Sequence, residues 1–166
     1  MHAYRASLLR FADDGAALFE EDGLLVIGPD ATGRKVVRAA GAWQALAPGL
    51  DSVAIEHLPG RILAPGFIDL HVHFPQTDVI GSPAEGLLPW LEDYTFPHES
   101  RFADAGYAQG MATVFLDELR RHGVTSALTF CTSHPQSVDA LLQESERRGL
   151  RMIAGKVLQD RHSPDG

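Results

Sequence analysis

The chain has 166 residues, 45% of them hydrophobic and 22% charged, enough for one sizeable core in an ordinary globular composition. Its 14 basic and 22 acidic residues give a net charge of −8, which argues against a nucleic-acid binder or a membrane-surface binder. The single cysteine, Cys131, excludes a disulfide framework; with no signal-peptide-like N-terminus and no run approaching roughly 18 apolar residues, this predicts a cytoplasmic protein.

The first 64 residues predict a small β-rich module. Tyr4–Phe11 is a strand closed by Asp13-Asp14-Gly15. Leu24–Ile27 is a short apolar run between Asp22-Gly23 and Gly28-Pro29. Val36 and Val37 start another strand, and Ala42–Leu46 suits a helical turn. Val53–Leu58 alternates apolar and polar and is expected to stop at Pro59-Gly60.

From Pro65 the pattern changes. Phe67–Val72 reads as a strand, and Ser82–Phe102, rich in proline and aromatics, as irregular. Asp104 is a predicted N-cap for a helix that sets Tyr107, Met111, Phe115 and Leu119 on one face and ends before Gly123. Val124–Phe130 is a continuous apolar strand. Gln136–Arg148 predicts a second helix with Val138, Leu141 and Leu142 inward, stopped by Gly149; Met152–Leu158 predicts a third strand. Strands alternating with helices make a parallel sheet with right-handed crossovers. Three such strands leave both edges uncovered, so residues 65–166 are expected to be part of a larger α/β protein.

The strand that opens this region reads PGFIDLHVHFPQ, from Pro65 to Gln76. A period of two puts His71 and His73 on one face, at the strand end where α/β proteins carry their sites. Two neutral imidazoles so placed suit Zn²⁺, or Fe²⁺ with less preference. The same period puts Asp69 on that face one pleat deeper, able to orient a histidine. A pair of hydrogen-bonded structural histidines has the same spacing, and the residues alone leave both readings open. Trp90, Tyr94 and Phe96 either line a pocket or pack a long loop. His134, just past the second strand, is either a pocket residue or a cap. Cys131 is a small buried filler. His98, His122 and His162 suit surface or helix-end positions.

PGFIDLHVHFPQ resembles the first-strand motif of the amidohydrolase superfamily, metal-dependent hydrolases built on a (β/α)8 barrel. LLPWLEDYTFPHESRF, GVTSALTF, TSHPQSVDALL and RMIAGKVLQDR, in that order, narrow the resemblance to the guanine deaminase family. The resemblance implies that residues 65–166 are about the first three βα units of the barrel. It makes His71 and His73 metal ligands and sets Gln76, with His73, against the guanine base. It also implies zinc, a homodimeric parent, and hydrolytic deamination of guanine to xanthine and ammonia in purine catabolism. The family's other ligands and its proton-shuttling carboxylates come from later strands, so no catalytic residue is expected here and the chain alone should be inactive. Two alternatives stand beside this: a related aminohydrolase acting on another purine, pyrimidine or triazine ring, and a non-catalytic truncated fragment.

Overall fold

The computed structural model describes residues 1–50 and 52–159, so His162 lies outside the described residues. The chain divides into two compact units, Met1–Pro65 and a second from Gly66 onward.

The first unit is a four-stranded sheet. Strands β1 (His2–Phe11), β2 (Ala17–Pro29), β3 (Lys35–Ala42) and β4 (Ala54–Leu63) lie in the order β3-β2-β1-β4, with a one-turn helix α1 (Trp43–Leu46) after β3. β1 runs antiparallel to β2 and parallel to β4. Its small core is Ala3, Leu24 and Val26, covered by Trp43, Leu46 and Leu50. The sequence pattern ends the fourth strand at Pro59-Gly60, but β4 continues through both to Leu63. The pairing with β1 jumps from Arg5↔His57 to Ser7↔Ile62, so the extra residues bulge out. The bulge is tolerated because β4 is an edge strand, where a missing proline N–H costs no ladder bond.

The second unit is a parallel sheet of β5 (Phe67–His73), β6 (Val124–Phe130) and β7 (Arg151–Gly155), in that order. The Pro-Gly entry has a steric cause: a side chain at position 66 would collide with Thr125 at the start of β6. Between β5 and β6 the chain passes through a 3-10 turn (Phe74–Val79), short helices α2 (Leu87–Trp90) and α3 (Phe96–Ser100), and then α4 (Ala105–Arg121). Ser82–Phe102, expected to be irregular, is therefore largely helical in short turns, with a π-helical segment Leu91–Thr95 joining α2 to α3. No single turn is long enough to show a 3.6-residue apolar period, which is why the pattern was illegible.

Asp104 caps α4, its carboxylate accepting the Tyr107 backbone N–H at 2.7 Å. Met111, Phe115 and Leu119 are buried as the spacing predicts. Helix α5 (Pro135–Arg148) ends at Gly149 in the left-handed conformation, φ 68°. Leu141 is buried and Val138 packs against the core as expected, but Leu142, also expected inward, is 39% exposed, and Ala140 and Glu144 turn in instead. β7 ends at Gly155, short of the expected Leu158, and Val157 N–H then bonds to the Thr132 carbonyl at 3.0 Å.

The helices cover one face of the sheet. There Ala127 and Thr129 are buried, and Val72, Met152 and Ala154 pack against Phe115, Leu116 and Leu141. On the other face Ile68, Leu70, Leu128, Phe130 and Ile153 are exposed, Ile68 and Leu70 by about 70%. Among the described residues no helix is long and apolar enough to cross a membrane.

Candidate metal and substrate site

His71 and His73 stand at the C-terminal end of β5. Their Nε2 atoms are 3.2 Å apart. Two metal–nitrogen bonds of roughly 2.0–2.1 Å at a tetrahedral angle span about 3.3 Å, so the spacing suits one shared ion once the proton of this ring–ring hydrogen bond is moved off Nε2. His73 is half-buried, and that burial, followed by repulsion from His71, holds its imidazolium pKa below the ordinary value. The neutral form is the one that binds metal. Among the described residues no group of three or more His, Cys, Asp or Glu side chains converges, so these two rings are the donors that the described residues bring together.

Phe130, on β6, backs the pair. Its ring stacks on His73 at 4.8 Å between centroids and 14° between planes, and lies 4.8 Å from His71 at 43°. It thus packs against both imidazole rings. The apolar end of β6 gave no sign of this in the sequence.

The period of two breaks before the site. Asp69 pairs with Ala127 and His73 with Phe130, so four steps along β5 match three along β6. The irregularity between Asp69 and Val72 is a β-bulge, and it puts Asp69 on the face opposite His73, correcting the expectation that they share one. Asp69 nonetheless acts on the pair through the backbone, its carboxylate accepting the His71 N–H at 3.0 Å.

Gln76 follows on the 3-10 turn. Phe74 anchors that turn: it is fully buried, edge-on to Phe102 at 5.1 Å and against Phe115 at 5.4 Å. At the far side of the turn Tyr107 Oη donates to Asp78 Oδ2 at 3.0 Å. Held at both ends, the turn places Gln76 Nε2 at 3.3 Å from His73 Nδ1 and 3.4 Å from Glu99 Oε1. Glu99, on α3, is half-buried, and that burial raises its carboxyl pKa against the opposing hydrogen bond from Gln76. Sequence reasoning missed Glu99: it lies 23 residues from Gln76, in the stretch whose helical turns were unreadable.

Of the remaining candidates, Trp90 is half-buried at the end of α2, and His134 sits at the N-cap position of α5. The His134 N–H donates to Thr132 Oγ1 at 3.0 Å and its carbonyl accepts from Ser137 Oγ at 2.8 Å. Its backbone thus does the capping work. Cys131 is 2% exposed, and burial pushes its thiol up to about 12. A thiol so protonated is no nucleophile.

A family model for amidohydrolases matches residues 62–166. Guanine deaminase of Escherichia coli (strain K12) is 39% identical over 96% of this chain and 34% of that protein. The crystal structure of guanine deaminase from Bradyrhizobium japonicum is 36% identical, with a TM-score of 0.88 over 98% of this chain and 36% of that one. That of C. acetobutylicum guanine deaminase with guanine bound is 26% identical, with a TM-score of 0.83 over 99% of this chain and 38% of that one. The chain spans about a third of the length of the relatives it matches.

Proposed function

The chain belongs to the amidohydrolase family, and from that premise we propose that it forms the first part of a guanine deaminase, a metal-dependent hydrolase converting guanine to xanthine and ammonia. The observation that carries this is the pair of Nε2 atoms 3.2 Å apart at the end of β5, with the Gln76 amide 3.3 Å from His73. It is a two-donor metal site with a polar base reader already beside it.

In this reading β5, β6 and β7 open a (β/α)8 barrel, and the exposed face of Ile68, Leu128 and Ile153 is its inward wall. His71 and His73 would hold the ion, zinc or iron(II). Such an ion, when bound, would lower the pKa of water towards about 7, the chemistry it would supply for hydrolysis at neutral pH. Gln76 offers an N–H donor and a carbonyl acceptor, the combination that reads a purine edge. Phe130 fixes the ring planes of the two histidines. Asp69 fixes the backbone at His71. Trp90 and His134 belong to the rim. Proton transfer to the ring and to the leaving amine needs carboxylates from elsewhere in the parent. The remaining parts of the reading, a cytoplasmic location and a homodimeric parent, follow the family resemblance.

The test uses the full-length parent, loaded with zinc and assayed by loss of guanine absorbance and release of ammonia. Turnover of guanine with none of adenine, cytosine or a hydantoin is expected. Preference for one of those rings would replace guanine as substrate; turnover of none would remove the enzymatic reading. The 166-residue chain alone should be inactive with zinc present. Turnover there at a thousandth of a typical enzyme rate, which is about 10 per second, would refute that part.

A further inference from the structure

Glu99 meets Gln76 across the whole loop between the first strand and α4, and its role is not explained by the metal pair. Gln76 needs a partner of this kind. A glutamine side chain carries rotamer freedom worth roughly 1.5–2 kcal/mol and has two chemically opposite ends in one shape. The buried Phe74 and Pro75 fix the turn's backbone but not the end of the Gln76 side chain. The His73 Nδ1 contact, at 3.3 Å, does not fix it either, because that ring nitrogen donates in one tautomer and accepts in the other. Glu99 Oε1, at 3.4 Å from the same amide nitrogen, supplies the second point needed to define a plane.

We propose that Glu99 is a positioning residue that holds the Gln76 amide against His73, so that the turn presents one fixed hydrogen-bonding edge to the ring bound beside the histidines. This rests on the reading of Gln76 as base reader. With His73 Nδ1 bare, the amide N–H groups reach both that nitrogen and an ionised Glu99; with His73 Nε2 on a metal, Nδ1–H needs the amide oxygen, to which a protonated Glu99 also donates. Either state holds the side chain, and a carboxamide at position 99 can do both. Leucine, of similar size, can do neither.

The experiment compares Glu99→Gln, Glu99→Leu, Gln76→Ala and the double variant Gln76→Ala/Glu99→Leu in the zinc-loaded full-length parent. Kinetics with guanine, zinc content, and the ring ¹⁵N shifts of His73 are measured for each. Glu99→Leu should lower kcat/KM about tenfold, chiefly through KM, as expected for one hydrogen bond of ordinary strength. Glu99→Gln should stay within about threefold of wild type. Zinc content should not change, and Glu99→Leu should have no further effect once Gln76 is alanine. An unaltered Glu99→Leu, a Glu99→Gln as impaired as Glu99→Leu, an additive double variant, or loss of zinc in Glu99→Leu would each overturn the proposal. If the wild-type parent does not turn over guanine, the substrate reading fails separately. The His73 ring shifts then decide: movement in Glu99→Leu but not in Glu99→Gln supports the positioning role, and no movement overturns it.

Discussion

Glu144 on α5 is a carboxylate out of contact with solvent, and its replacement by glutamine gives a direct measure of what joins α5 to α4. It accepts from Arg147 (Nε to Oε2, 2.8 Å) and from Arg148 (Nε to Oε1, 2.7 Å). Arg148 also donates to the Thr113 carbonyl at 3.2 Å and pairs with Asp117, both on α4. The Glu144 and Arg148 side chains are 5% and 7% exposed. Glu144→Gln keeps the shape and removes the charge, but Arg148 keeps Asp117 and the Thr113 carbonyl, so the cost falls below the roughly 3–5 kcal/mol of a buried charge left with no partner. The carboxyl itself gives a second estimate. Its two arginine hydrogen bonds lower its pKa from 4.5 to about 2. At about 1.4 kcal/mol per unit that is about 3 kcal/mol. Arg147 is 67% exposed, so solvent screening brings the expected loss to about 2 kcal/mol. In thermal unfolding of the full-length parent the variant should melt several degrees lower at pH 7, with faster hydrogen exchange in α4 and α5. A depressed carboxyl pKa contributes stability above the unfolded-state value and loses it as pH falls through the folded-state value. The gap between wild type and variant should therefore be full above pH 4.5 and close towards pH 2. Equal melting at pH 7, or a gap that does not change between pH 6 and pH 2.5, would refute the reasoning.

Three other outcomes are expected. Phe74→Ala removes a fully buried ring held between Phe102 and Phe115 and should cost about 3–5 kcal/mol in urea unfolding, with Gln76 losing its place beside His73; a cost under about 1 kcal/mol would mean the turn is held otherwise. Cys131, 2% exposed with its thiol pKa raised to about 12, should react with an aromatic disulfide reagent at pH 8 only after urea is added, and full labelling of the native protein within minutes would contradict its burial. The isolated 166-residue chain, with Ile68, Leu70 and Ile153 on an uncovered sheet face, should bind a hydrophobic dye and sediment as associated species; a monodisperse, dye-free monomer would show that this face needs no cover.

The parts of the fold legible in sequence were those whose signal is local. Val124–Phe130 matched β6 to the residue, and Asp104 and Gly149 marked helix ends by capping chemistry that needs only neighbours. The histidine pair was legible because spacing in a strand fixes direction. What was lost depended on distant partners. The bulge beside Asp69 exists only in the register with β6, so the strand's own residues could not announce it. The extension of β4 past Pro59 is licensed by its edge position in the sheet. Glu99 is silent in the sequence because its partner Gln76 lies 23 residues away; Glu144 has its arginines three and four residues on, and what its neighbours do not show is that Arg148 also reaches Asp117 and Thr113 on α4.

The irregularity between Asp69 and Val72 has a consequence for how this strand can change. It shifts the in–out alternation by half a cycle partway along, so the strand carries two independent frames. Residues before it answer to the sheet's packing, and residues after it answer to the chemistry at its tip. Substitutions in one half need not be matched in the other. A one-residue deletion at Leu70 is different in kind: it would remove the extra residue, and regular pairing would then keep Ile68, His71 and His73 on one face at a strict period of two. The segment is thus tolerant of replacement and of losing its one extra residue, and what must be preserved when this strand is moved into another scaffold is the spacing of His71 and His73 and their pairing beyond the bulge.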